Sequence, residues 1–208
     1  MRGPNFPYKY LNLTLYLIIA NMIFFVFKLI YPVTVEWFAM NPVMVVNYGQ
    51  WWQVFTYMFT HADIMHLVVN MVVLFFFGTP VEQQLGSWEF LTFYLTVGIL
   101  AGLFSLGFYW FTGSFNSWLL GASGVTFGIM LTFATFFPNS RIYILFVIPV
   151  KAKYLVLFYA LYEVFSQVFN QGSGVAHLTH LAGFLFAFLY LWLRLKVNSL
   201  KILFNLKE

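Results

Sequence analysis

The sequence predicts an all-α membrane protein built as a bundle of six spanning helices, and three observations carry the prediction. The chain is 62% hydrophobic and only 8% charged over 208 residues, with a mean hydropathy of +0.84, whereas soluble domains hold roughly 45–50% apolar and about 25% charged residues. Six apolar runs, at residues 11–31, 63–80, 88–111, 118–137, 152–169 and 175–195, approach or reach the ~20 residues that a spanning helix needs. The basic residues gather in those connections that share one side of a six-helix bundle. Only short segments flank the first and last runs, so residues 1–208 read as a single membrane-embedded domain.

Run 11–31 follows Arg2 and Lys9 as a signal peptide would. It outlasts the ~7–15 residues of a signal core and lacks a small-x-small cleavage site, and is therefore read as a retained helix. Lys28, near its outer end, is expected to lift its ammonium into the headgroups. Trp37, Trp51 and Trp52 in the next connection suit an interfacial aromatic belt, and His61 is expected to face interfacial water. On run 63–80, Asp63, His66 and Asn70 at i, i+3 and i+7 form one narrow polar stripe. Glu82 lies beyond it, at the end opposite the polar stripe and too far from Ser123 to be its base, and reads as structural. Run 118–137 opens on Gly121-Ala122-Ser123-Gly124, and Gly121, Gly124 and Gly128 give it a small-residue face bordered by Ser123. Run 152–169 carries Glu163, an intramembrane carboxylate without a role readable from sequence, and Asn170-Gln171-Gly172-Ser173-Gly174 follows as a flexible loop. Run 175–195 places Ala176, His180, Gly183 and Ala187 on one face, and small faces let helices approach closely.

Arg2 and Lys9, then Arg141, Lys151 and Lys153, then Arg194, Lys196, Lys201 and Lys207 fall on one side, which makes both termini cytoplasmic. Runs two, four and six then all enter from the outer face, with His66, Ser123 and His180 each in the first third. At about 1.5 Å of rise per residue they share a depth of ~5–10 Å below the helix starts, where water enters only through an opening.

These residue types suit acyl chemistry. A serine hydroxyl needs an adjacent imidazole to take its proton and later to protonate the leaving amine, which assigns Ser123 as nucleophile and His180 as base. The tetrahedral oxyanion needs aimed donors, and the backbone N–H of Ser123 and the side chains of His66 and Asn70 are the candidates. With no cysteine in the chain, disulfides, thiolate metal sites and a cysteine nucleophile are excluded. The ten basic residues form no patch interleaved with aromatics, which excludes nucleic acid as a partner, and no glycine-rich phosphate loop or cofactor motif occurs.

With these motifs assembled, the chain resembles the rhomboid intramembrane serine proteases over about residues 50–190. The resemblance rests on His66-x-x-x-Asn70, Gly121-Ala122-Ser123-Gly124, His180-x-x-Gly183 and Gly78-x-x-x-Glu82-x-x-x-Gly86. It implies a Ser123–His180 dyad without an acidic third member, oxyanion stabilisation by His66 and Asn70, and motif support from Gly121, Gly124 and Gly183. It implies no cofactor and no metal. Substrates would be single-span membrane proteins in the bilayer, admitted by movement of the fifth helix and the loop before the sixth. Gln53 follows Trp52 where many members have arginine, which puts the anchoring of the first outer loop in question. A chain this compact points to a bacterial inner membrane. Two other readings stay open: a catalytically inactive rhomboid-like protein that binds membrane clients, and a metal-dependent membrane protein using His61, His66, His177 and His180.

Overall fold

The computed structural model describes residues 6–144, 147–169 and 177–206. Arg2, Lys207, Ala176 and the predicted loop at 170–174 lie outside the described residues. Each predicted run contains a helix, with bounds that differ from those of the run. The first is α1, Leu13–Ile30. The connection that follows folds into three short helices, α2 (Thr34–Phe38), α3 (Pro42–Val46) and α4 (Gln53–Thr56), the last running into a 3-10 turn at Tyr57–Phe59. The second run becomes a continuous rod made of α5 (Ile64–Val73), a π-helical turn at Leu74–Gly78 and α6 (Thr79–Leu85). The wide turn precedes Pro80, which has no N–H to close an ordinary α turn.

Then come α7 (Ser87–Phe111), α8 (Ser123–Phe136), a hairpin of β1 (Arg141–Ile144) with β2 (Ile148–Lys151), α9 (Ala152–Phe169), α10 (His177–Leu193) and α11 (Ser199–Phe204). The hairpin is antiparallel, with Arg141 opposite Lys151 and Ile144 opposite Ile148; the sequence predicts only a connection there.

Three rods, Leu13–Ile30, Ile64–Leu85 and Ser87–Phe111, are long and apolar enough to cross a membrane, and α8 and α10 are apolar but shorter. Apolar side chains such as Ile23 on α1, Met65 on α5 and Phe165 on α9 are exposed, while Asn21, Glu82, Glu89 and Glu163 are buried. Apolar groups outward and polar groups inward is the arrangement expected where lipid is the solvent, and the chain is a membrane protein.

α8 packs on α10 and α7 at the centre. It does so through glycines. A Cβ at Gly183 would run into the carbonyl oxygen of Gly124, and one at Gly128 would stand 3.0 Å from the carbonyl oxygen of Gly183.

Buried carboxylates tie the helices at their other ends. Glu82 accepts from the backbone N–H groups of Leu13 (2.6 Å) and Thr14 (2.8 Å), from the Thr14 hydroxyl and from the Ser87 hydroxyl. The first-turn amides of α1 lack helical partners, so the carboxylate satisfies them and meets the positive end of the helix dipole. Glu89 on α7 accepts from Arg194 Nε at 2.6 Å and from the Tyr190 hydroxyl at 2.5 Å.

Two expectations for the outer loop are overturned. Lys28 does not reach for headgroups; its ammonium donates to the carbonyl oxygens of His61 and Ala62, which have no helical N–H to serve them ahead of α5. Gln53 leaves no gap in loop anchoring. It is buried, accepts from Asn41 N at 3.0 Å and donates to Glu36 O at 2.9 Å, so a neutral amide holds the loop from within. Trp37 and Trp52 are exposed and stacked, as an interfacial pair would be.

Candidate active site

The segment ahead of Ser123 is extended rather than helical, so α8 begins five residues later than the run predicts. Met40 and Leu119 exchange backbone hydrogen bonds of 2.8 Å each, and Gly121 N–H donates to Tyr57 O at 2.9 Å. The connection between α1 and α5 therefore holds this strand-like stretch against the bundle. Gly121 then turns the chain at φ +113, and Ala122 is the N-cap of α8 with no capping side chain. Ser123 is the first helical residue, at the end where backbone N–H groups are left without helical acceptors.

Across the glycine contact, His180 on α10 points its Nε2 at Ser123 Oγ, 2.8 Å away. That is hydrogen-bond reach for a nucleophile and its base. The ring of His180 lies parallel to that of Phe127 on α8, with centroids 4.3 Å apart and an interplanar angle of 6°. Phe127 stands four residues after Ser123 on the same side of α8, a spacing visible in the sequence, but bulk phenylalanine offers no chemical signal to single it out.

His66 on α5 closes over Gly121: a Cβ there would stand 2.7 Å from both Cε1 and Nε2 of the ring and 3.7 Å from Ser123 Oγ. Its Nδ1 accepts from Ala62 N–H at 3.4 Å, the tautomer that carries the ring proton on Nε2. Asn70, one turn further along, donates its Nδ2 to His66 O at 2.8 Å and accepts from Thr126 Oγ1 at 3.4 Å. Asp63, the third member of the predicted stripe, is instead the N-cap of α5, exposed and accepting His66 N–H at 2.8 Å. That bond to its ionised form holds the carboxylate below the usual aspartate range.

His66, Asn70, Ser123, Thr126, Phe127 and His180 all border one cavity of about 420 Å³, which Trp118 and Leu120 also line.

Two ionisable residues stand differently from their expectation. His61 is wholly buried instead of facing water, with Ala122 N–H 3.5 Å from its Nε2. Burial, reinforced by neighbouring His66, pushes its pKa down to about 3. Glu163, to which the sequence assigns no role, is buried on α9. Its Oε2 lies 2.6 Å from His177 Nδ1 and its Oε1 lies 3.1 Å from His180 Nδ1. A carboxylate on one apolar helix gives no sequence sign of the imidazole it will meet on another. The donor atoms of Glu163, His177 and His180 lie within 4.8 Å of one another and are, among the described residues, the group able to present three ligands to a metal ion.

A family profile described as a rhomboid domain matches residues 48–197. The chain is similar to Rhomboid protein 1, mitochondrial, of Saccharomyces cerevisiae, 34% identical over 145 residues that cover 64% of this chain and 39% of that protein. It is similar to RHOMBOID-like protein 12, mitochondrial, of Arabidopsis thaliana, 29% identical over 189 residues covering 83% and 55%. It is also similar to Rhomboid protease GluP of Bacillus subtilis, 33% identical over 93 residues covering 45% and 17%. The chain thus spans less than two thirds of the length of each of these relatives. The matched residues 48–197 include the whole cluster around Ser123 and leave out α1 and α11.

Proposed function

The chain belongs to the rhomboid family, and on that premise we propose that it is a serine endopeptidase that cuts single-span membrane proteins within the bilayer. The observation that carries this reading is the 2.8 Å contact between Ser123 Oγ and His180 Nε2 at a cavity. In the proposed reaction His180 Nε2 takes the serine proton as Oγ attacks the scissile carbonyl carbon. The oxyanion forms beside the Ser123 N–H and His66 Nε2–H, with Asn70 in the same wall. His180 then gives the proton to the leaving amine as the C–N bond breaks, and water repeats the sequence on the acyl-enzyme. Gly124 and Gly183 let the backbones of α8 and α10 approach, which brings the two side chains together, and Gly121 leaves room for the His66 ring beside the serine.

The same reading treats the chain as one membrane domain of six spans with both termini cytoplasmic. α8 has 14 residues and a length of ~21 Å, shorter than a hydrocarbon core of about 30 Å. A helix of that length resting on the cytoplasmic side ends below the outer surface, and Ser123 stands at that end. An extended substrate segment fits such a cavity better than a helix, whose carbonyls are engaged in their own hydrogen bonds. The proposed location is a bacterial inner membrane. The mitochondrial names of two relatives make an organellar membrane the competing one, which fractionation of the native source distinguishes.

Purified protein is expected to react with a fluorophosphonate and to cleave a model single-span substrate, and Ser123→Ala to lose both activities by more than about a thousandfold. Labelling that survives the alanine change would remove the nucleophile from this reading. A folded wild type that binds the substrate without cutting it would leave a client-binding member of the family.

A further inference from the structure

Resting on the protease reading above, we propose that Glu163 is the positioning residue of the site, holding the His180 imidazole in the tautomer and orientation in which it serves Ser123. For Nε2 to accept the serine proton, the ring must carry its own proton on Nδ1, and a carboxylate oxygen stands 3.1 Å from that Nδ1. The contact is at ion-pair distance, though not aligned as a hydrogen bond in this resting arrangement. Catalytic contacts of this kind tighten when substrate is bound.

The stack on Phe127 confines the His180 ring to one plane. Rotation within that plane is then decided by what meets its two edges. Ser123 meets one and Glu163 the other. As positive charge develops on the imidazole during proton transfer, the buried carboxylate stabilises it in surroundings of low dielectric.

Glu163 is itself 3% exposed, and a carboxylate so buried is retained only when paired. His177 Nδ1, 2.6 Å from the other oxygen, supplies the second partner. The carboxylate therefore bridges two imidazoles one turn apart on α10, and only one of them touches the serine.

The competing role for the same residues is a metal site. Two zinc ligands at about 2.0–2.1 Å in tetrahedral geometry stand ~3.3 Å apart. The 2.6 Å between His177 Nδ1 and Glu163 Oε2 is shorter, the separation of a hydrogen bond. A metal on His180 Nδ1 would also leave the ring proton on Nε2 and remove the base.

The test is the rate of fluorophosphonate labelling and of substrate cleavage by full-length protein in detergent, from pH 5 to 9, for wild type, Glu163→Gln and His177→Gln. The charged and titratable groups facing His180 are Glu163 from α9, His66 from α5 and His177 on its own helix. Glu163→Gln is expected to lower kcat by at least about a hundredfold with KM changed less than threefold, and to move the acid limb of the pH profile downwards. His177→Gln, which keeps the Glu163–His180 contact, is expected to stay within tenfold of wild type.

Glu163→Gln within threefold of wild type with an unmoved limb would overturn the proposal, and so would equal losses in both variants, the mark of a mere α9–α10 latch. Should the glutamine variant fail to fold, Glu163→Asp takes its place: a rate lowered tenfold or more with the acid limb unmoved supports positioning, and an unchanged rate overturns it. Activity removed by a chelator and restored by zinc would overturn it in favour of a metal. Absence of Ser123-dependent labelling in the wild type would instead sink the protease reading, and this proposal with it.

Discussion

His61 and His66 are five residues apart, and their rings meet edge to face at 5.2 Å, yet their surroundings differ. His66 borders the cavity, whereas His61 is fully buried and is held neutral by burial, with its pKa at about 3. An ordinary histidine titrates near 6.5. Because the folded value is the lower one, the unfolded chain binds the proton first as pH falls. The contribution of His61 to stability is therefore complete above about pH 6.5 and declines as pH falls towards 3, amounting to a loss of about 2 kcal/mol by pH 5. Thermal unfolding of wild type and His61→Asn at pH 8 and pH 5 is expected to show a larger acid-induced fall in Tm for the wild type. Equal falls would mean that His61 protonates as readily in the folded state. The same residue marks a limit of sequence reading: a histidine just before an apolar run looks like an interfacial one, and only packing against distant segments such as the Ala122 backbone makes it interior.

Among the elements, the α8–α10 contact decides whether a site exists at all. Gly183 lies against the Gly124 backbone, so a methyl group there has nowhere to go. Gly183→Ala is expected to force the helices apart, to cost about 1–3 kcal/mol by overpacking, and to lower fluorophosphonate labelling of Ser123 by at least about a hundredfold, since a displacement near 1 Å can cost that much. Gly107 on α7 is the control, because nothing lies within 4 Å of the position its Cβ would take. Gly107→Ala should keep full labelling and match or exceed wild-type stability, as alanine is favoured over glycine by about 1 kcal/mol in a helix. The small-residue spacing on both runs was legible from the sequence, because side chains every three or four residues share a helix face. That α8 starts only at Ser123 was not legible: the apolar run is unbroken from 118, and pairing of Leu119 with Met40 overrides it.

For the whole molecule, the proposed topology puts the loop between α3 and α4 and the segment after α10 on opposite sides of the membrane. The chain contains no cysteine, so single introduced thiols report cleanly. Tyr48 in the first and Lys201 in the second are both exposed. Tyr48→Cys in sealed inside-out vesicles should resist a membrane-impermeant maleimide that modifies Lys201→Cys, and modification of both from one side would break the six-span reading. The ties that hold this architecture are unevenly legible. Glu82 reads as structural from its place after the second run, and it does cap α1. Lys28 and Gln53 read as interfacial and as a missing anchor, yet both are occupied with loop carbonyls and amides.

What the sequence determined by itself is the apolar surroundings, the helical class, the place along the chain of each apolar helix and the identity of Ser123, His66, Asn70 and His180 as the polar residues to watch. Each of these follows from composition or from a short-range period, and such signals survive in one dimension because a helix repeats every 3.6 residues whatever it packs against. Only the tertiary structure decided that Glu163 meets His180 and His177, that Phe127 stacks on the imidazole and that His61 is interior. Those are contacts between separate helices. Their energies depend on which faces meet and how closely, and that is settled by packing across the whole bundle rather than by any run of neighbouring residues.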